Sequence, residues 1–112
     1  MYLIYPMHQM VSLKLKLFIR KKMLEIFEAI KTKSIITFRY NDEIINRKAE
    51  VYVIGLGGTG ELLIRAFQIG EGWKLFKVFN MVNVSNTSMR FHKRADYNPN
   101  DKAFKKITKQ IK

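Results

Sequence analysis

The sequence contains no cysteine, which excludes disulfide bonds, cysteine-ligated zinc and thiol catalysis from its chemistry. It has only two prolines, and Pro6 argues against a helix that begins before it. No apolar run reaches membrane-spanning length, because the stretch 10–19 is interrupted by Lys14 and Lys16. The charges of this stretch follow its apolar start, the reverse of a secretory signal, so we expect a soluble, cytoplasmic protein.

Acidic residues are also few. The sequence has nine Asp and Glu and 21 Lys and Arg, which gives a net charge of +12. Residues 1–24 hold five basic groups and no acid, residues 25–89 hold eight basic and seven acidic groups, and residues 90–112 hold eight basic groups against two acids. The excess at the two ends attracts polyanions, so nucleic acid is the predicted partner. A solvated lysine-rich surface and an acidic protein partner are the alternatives.

Core-forming residues are plentiful. Of the 112 residues, 47% are hydrophobic, including eight Phe and five Tyr, which is typical of a folded protein and not of a disordered one. The length fits one domain with a single modest core.

The clearest structural signal is a hairpin over residues 61–79, whose two strands turn back at Gly70–Gly72. Both faces of the hairpin are largely apolar, which suits a small barrel or a sheet covered on each side. With those three residues as the loop, Arg65 lies directly opposite Lys77. Like charges so placed destabilise a strand pair by roughly 0.2–1 kcal/mol, which predicts an anion held between them. A one-residue change in the loop would separate the two charges instead.

Hydrophobic spacing predicts the remaining elements. Residues 23–30 show the helical period, with their glutamates on the opposite face. The stretch 12–19 alternates Leu and Lys as a strand does, yet its leucines also share one helical face, and both alternatives stay open. Strands are predicted at 35–40, 47–55 and 81–85, and a final helix is capped by Asp101.

A glycine-rich stretch at Gly55–Gly60 contains the pattern G-x-G-x-x-G directly after a predicted strand. This pattern is the dinucleotide-binding fingerprint, in which glycines let a pyrophosphate approach a helix N-terminus. Here the candidate helix would have only nine residues, 61–69, and no acid follows between Trp73 and Ala95 to bind a ribose. We therefore favour a flexible loop that joins two antiparallel strands.

Catalytic patterns are not evident. His8 and His92 are far apart and neither belongs to a metal-ligand motif. Asp96 and Asp101 flank an Asn-Pro-Asn segment and are interpreted as turn and cap residues. We expect no enzymatic activity, no metal and no cofactor.

The order of the elements, together with several short strings, resembles WYL-domain proteins, most of all the small stand-alone forms of bacteria and their phages. The resemblance covers roughly residues 23–104 and is carried by Leu24–Ile30, Ile36-Thr-Phe-Arg-Tyr40, Arg47–Gly55, Leu63–Gln68, Gly72–Lys77 and the tail Tyr97–Lys102. The sequence departs from the family at two places. Glu61-Leu62-Leu63 stands where the naming Trp-Tyr-Leu would fall, and Asn80 stands where many members have an arginine.

The resemblance implies a mainly β fold with flanking helices: a small Sm-like antiparallel β-barrel led by an N-terminal helix and followed by a short C-terminal helix. We divide the chain into a basic N-terminal extension (1–22), a WYL-like barrel domain (23–95) and a basic C-terminal helix or tail (96–112). WYL domains usually act as sensors or regulators that bind nucleic acid or nucleotides in the cytoplasm of a bacterial or phage-infected cell. The residues expected to contact an anion or nucleic acid are Arg65, Lys77, Lys74, Arg39, Tyr40, Trp73, Arg90, Lys93 and Arg94.

These residues have different expected roles. Trp73, like Tyr52, would stack on bases if exposed, although core packing is the commoner role of a single aromatic residue. Arg90, Lys93 and Arg94 would contact backbone phosphates without reading sequence. The predicted partner is single-stranded RNA or DNA or a nucleotide, with a homo-oligomer as a possibility and no membrane. The alternative function is a protein-interaction module, such as a phage-encoded inhibitor of a host system or a virion-associated protein.

Overall fold

The computed structural model describes residues 7–112, with side chains from residue 12 onward. A long helix leads the chain and is followed by six strands, with one turn of 3-10 helix at Val78–Asn80. The elements are α1 (Met7–Thr32), β1 (Ser34–Tyr40), β2 (Arg47–Leu56), β3 (Leu62–Gln68), β4 (Gly72–Lys77), β5 (Met81–Arg90) and β6 (Lys106–Gln110).

The six strands form one antiparallel sheet in the order β4-β3-β2-β1-β5, with β6 paired to β2. The predicted mainly β fold with a leading helix is confirmed. The closed Sm-like barrel is not, because among the described residues no pairing joins β4 to β5 and the sheet stays open.

The core lies between α1 and the centre of the sheet. Ile26, Ala29 and Ile30 are buried at the spacing that puts them on one helical face. Helix α1 packs against β5, against β1, where the buried residues alternate, and against β2, which is buried continuously from residue 49 to residue 55. A strand buried on both faces needs cover on each side, and the second cover is the segment 91–105, whose rings contact Tyr52.

The stretch 12–19 is helical, which decides between the two alternatives left open by its sequence. Every residue from Ser12 to Lys21 is exposed, including Leu13 at 58% and Leu17 at 65%. This part of α1 is here called the arm, and its last turns, at Phe18 and Lys21, line a small pocket with Asn83 and Val84 of β5. Lys22 marks its base, where the Nζ atom donates a hydrogen bond of 3.0 Å to the carbonyl oxygen of Val78. Burial there lowers the pKa of Lys22.

The helix crosses the boundary predicted between residues 22 and 23 without a break. The proposed division of the chain into an extension, a barrel domain and a tail stays a prediction. No helix among the described residues combines the length and the apolar character that a bilayer span requires.

The β3–β4 hairpin forms where it was predicted, but its predicted register was wrong by two residues. Gln68 pairs with Gly72, so Arg65 lies opposite Leu75 and Lys77 lies opposite Leu63. The loop is Ile69-Gly70-Glu71, closed by a 3.0 Å hydrogen bond from the Glu71 N–H to the Gln68 carbonyl. Gly70 has φ +85°, a backbone conformation that glycine adopts without a steric cost.

The predicted C-terminal helix was also wrong, since the chain forms β6 at Lys106–Gln110. It pairs with the second half of β2, where Ile107 lies opposite Gly55. A Cβ atom added to Gly55 would overlap the carbonyl oxygen of Lys106, so glycine is what permits this close approach. Strand β1 pairs with β2 only as far as Glu50, so the backbone groups beyond it need another partner. Strand β6 supplies their hydrogen bonds, which buried backbone groups require.

Candidate anion-binding surfaces

Arg65 was predicted to hold an anion, and the structure places it in a salt bridge. Its Nε atom lies 2.6 Å from Oδ2 of Asp101, and its Nη2 atom lies 3.3 Å from Oδ1. The guanidinium group of Arg65 holds the pKa of the Asp101 carboxyl below its usual value. Arg65 therefore fastens the segment 91–105 to β3.

Lys77 and Lys74, on β4, also have acidic neighbours. The Nζ atom of Lys77 lies 3.5 Å from Glu61, and that of Lys74 lies 3.8 Å from Glu71. Both pairs are exposed, where such contacts contribute little to stability. The opposed cations that motivated the anion site are not formed, and an anion contact by Arg65 or Lys77 stays a prediction without that support.

Arg94 belongs to a buried network that sequence reasoning missed. Its Nε and Nη2 atoms lie 2.9 and 3.1 Å from the carboxylate oxygens of Glu50, which is only 4% exposed. The Tyr52 hydroxyl donates to the same carboxylate at 2.9 Å and accepts the backbone N–H of Arg94 at 3.0 Å. Burial, together with Glu50, raises the pKa of Tyr52 to about 12. The guanidinium carbon of Arg94 also lies 3.4 Å from the centre of the Phe67 ring.

The aromatic candidates are packed against other rings. Tyr52 is fully buried, and its ring centre lies 4.8 Å from that of Trp73. The indole N–H of Trp73 donates to Asp96 at 3.0 Å. The Tyr40 ring contacts Phe76, and its hydroxyl accepts the backbone N–H of Lys77 at 3.0 Å. All three rings contribute to the core or its margin.

A small cavity of about 200 Å³ lies beside Arg65 and Trp73, under the segment 91–105. Its charged side chains are already engaged, since Asp101 pairs with Arg65 and Asp96 accepts the Trp73 N–H. The groups that line this cavity therefore attach the segment 91–105 to the sheet.

Three predicted cations have no carboxylate within 4.0 Å among the described residues. Arg39 is half-buried on β1, opposite Val82. Arg90 ends β5, opposite Ser34. The Nζ atom of Lys93 lies 5.8 Å from the centre of the Tyr97 ring. An anion contact by any of these three residues stays a prediction.

A further group of cations lines a cleft of about 400 Å³ between the end of α1 and β6. None of its lining side chains is acidic, and its four lysine side chains have no salt-bridge partner within 4.0 Å in the described part of the chain. The lining residues, here called the lysine cleft, are Phe27, Ile30, Lys31, Lys33, Lys109, Gln110 and Lys112.

Two features of the fold bring these lysines together. Lys33 has φ +53° and turns the chain from α1 into β1, and its carbonyl accepts the N–H of Phe91 at 2.9 Å. Lys109 reaches the cleft because β6 pairs with β2, and its Nζ atom lies 5.1 Å from the centre of the Phe27 ring. The end of β5, with Arg90, adjoins the same corner of the molecule. The sequence showed that the C-terminus is basic, but it did not show that the C-terminus lies next to the end of α1.

Comparison with known proteins supports the fold. No family model matches the chain, and no curated protein matches it. Among solved structures it is similar to part of proteasome accessory factor B/C (PafBC) of Arthrobacter aurescens, with a TM-score of 0.61 and 21% identity over 70% of this chain. The chain spans 13% of the length of that protein. At this identity the likeness shows the fold alone, and that fold is WYL-like.

Proposed function

We propose that this protein is a non-catalytic regulatory domain of the WYL-like type that binds nucleic acid or nucleotides. The observation that carries the proposal is the lysine cleft, which gathers four lysines and no acid around one cavity. Like charges held together without counter-ions raise the local potential and favour a phosphate-bearing ligand. The WYL-like fold supports a regulatory role, since WYL domains usually act as sensors.

Two groups of cations, those on the β3–β4 hairpin and those around the lysine cleft, make the proposal testable. Those on the β3–β4 hairpin have carboxylate partners, as Arg65, Lys74 and Lys77 show. Those around the lysine cleft have none within 4.0 Å among the described residues. A phosphate gains most from cations that are not already paired, so binding should depend on the second group.

The test is the binding of a fluorescently labelled oligo-dT and oligo-U of about twelve nucleotides, a length that covers one small binding module. Anisotropy titrations between about 50 and 200 mM salt give the slope of log K against log salt, which changes by about 0.7 for each phosphate contact with a single strand. The variant Lys33→Gln/Lys109→Gln should bind more weakly and show a shallower slope. The matched control, Lys74→Gln/Lys77→Gln, removes the same charge from the hairpin and should change both quantities less.

Equal losses in the two double variants would contradict the proposal, because binding would then follow net charge alone. Wild-type protein that binds neither oligonucleotide at about 50 mM salt, nor any nucleotide, would also contradict it.

A second candidate function is a protein-interaction module. The specific observation that favours it is exposed apolar surface away from the cleft: Leu13 and Leu17 on the arm, and Phe79, which is 84% exposed. Such surface commonly marks a contact with another protein. A stoichiometric complex that persists after nuclease treatment would support this alternative.

A further inference from the structure

The volume of the lysine cleft limits what it can hold. At about 400 Å³ it lies at the lower end of the range of small-molecule pockets. That space suits one nucleotide better than a run of them. The ligand of the cleft is therefore expected to carry its charge in a compact form.

The number of lysines in the cleft indicates how much negative charge its ligand carries. Lys31 lies in the last turn of α1, where it also meets the negative end of the helix dipole. Lys33, Lys109 and Lys112 lie outside the helix and are left for a ligand. A phosphodiester brings about one negative charge per nucleotide, whereas a terminal phosphate alone brings about −1.5 to −2 near neutral pH. Three lysines in one cavity match a di- or triphosphate better than a phosphodiester.

The apolar side of the cleft supplies a surface for a base. Phe27 and Ile30 line it, and the Phe27 ring already holds the Lys109 ammonium 5.1 Å from its centre. Aromatic faces stack on any nucleobase, and the contact does not depend on base identity. One ligand can therefore contact both the apolar ring of Phe27 and the ammonium group of Lys109.

We infer that the lysine cleft binds a nucleoside diphosphate or triphosphate. Its phosphates contact Lys33, Lys109 and Lys112, and its base packs against Phe27. The inference rests on the proposed function, since both require these lysines to attract phosphate.

Titration calorimetry with ADP, GDP, AMP and pyrophosphate tests the inference. ADP and GDP should bind with one-to-one stoichiometry. AMP should bind about tenfold more weakly, a difference of about 1.4 kcal/mol, because it lacks one phosphate and the charged contact that this phosphate makes. Pyrophosphate should also bind more weakly than ADP, since it has no base.

Two variants separate the parts of the site. Lys109→Gln should weaken ADP and pyrophosphate alike. Phe27→Leu keeps an apolar side chain at this position but removes the aromatic ring, and it should weaken ADP more than pyrophosphate, because pyrophosphate loses only the contact between the ring and Lys109. Circular dichroism of both variants checks that the fold is retained.

AMP that binds as tightly as ADP, or Phe27→Leu protein that binds ADP as the wild type does, would overturn the inference. If ADP does not bind but oligo-dT does, with a loss in Lys33→Gln/Lys109→Gln, the inference falls and the proposed function stands. If neither ligand binds, both fall.

Discussion

The buried carboxylate of Glu50 fixes the position of Arg94. It accepts hydrogen bonds from the Tyr52 hydroxyl and from two nitrogen atoms of Arg94. A buried charge is tolerated only when it is paired and hydrogen-bonded, so this network supports the turn that follows β5. Arg94, which the sequence marks as a phosphate contact, therefore has a structural role in this fold.

Arg94→Ala should lower the free energy of unfolding by about 1–3 kcal/mol, because the Glu50 carboxylate loses two bonds and stays buried. Urea denaturation monitored by circular dichroism measures the change. Its matched control is Lys93→Ala, an exposed neighbour, which should stay within about 0.5 kcal/mol of the wild type. Glu50→Gln added to Arg94→Ala should recover part of the loss, because it removes the unpaired charge. Identical stabilities for the two single variants would show that the network contributes nothing.

The Arg65–Asp101 salt bridge makes stability depend on acid pH. The pKa of Asp101 is lowered in the folded protein, so its contribution is fully present above the unfolded value of 3.8 and is lost as the pH falls through the folded value. Asp101→Asn should therefore destabilise the protein at neutral pH and converge with the wild type at strongly acid pH. Thermal melts at a series of pH values measure the difference. If the melting temperatures of Asp101→Asn and the wild type differ by the same amount at every pH, stability does not depend on the ionisation of Asp101.

At the scale of the element, β6 depends on one glycine. Gly55 leaves room for the Lys106 carbonyl, and Gly55→Ala should lower the free energy of unfolding by about 1–3 kcal/mol through overpacking. Hydrogen exchange should show the loss first at the amides of β6, since the new methyl group displaces that strand. Gly58→Ala is the control, because nothing lies within 4 Å of the Cβ it adds. Protection of β6 that is unchanged in Gly55→Ala would refute the close approach.

Local patterns predicted the early elements well. The helical spacing at residues 23–30 and the runs of β-branched and aromatic residues gave α1 and β1 to β4 in order. The same spacing rule failed at the C-terminus, where Ala103, Phe104, Ile107 and Ile111 mimic a helical face. There the pairing of Ile107 with Gly55 outweighs the local pattern, and it joins residues too distant for any period to reveal. The hairpin register failed for a different reason, because two glycines two residues apart offer two similar loops.

At the scale of the whole molecule, charge counting foresaw the basic ends but not which cations are paired. Arg65 and Arg94 find carboxylates 36 and 44 residues away in the sequence, so their neutralisation depends on the tertiary fold. The lysine cleft likewise joins Lys33 to Lys109 across most of the chain. Composition therefore predicts attraction to polyanions, whereas the place of contact requires the structure.

The continuous helix sets a distance between two groups of positive charge. Lys16 on the arm and Lys31 at the cleft are 15 residues apart in α1, which corresponds to about 22 Å along its axis. A ligand as small as a single nucleotide is too short to bridge them. Neighbouring phosphates on one strand of duplex DNA are about 3.4 Å apart along its axis, so a duplex would have to span about seven such steps to touch both lysines. The length of the helix thus means that a compact ligand can contact one of the two groups of positive charge, whereas an extended ligand can contact both.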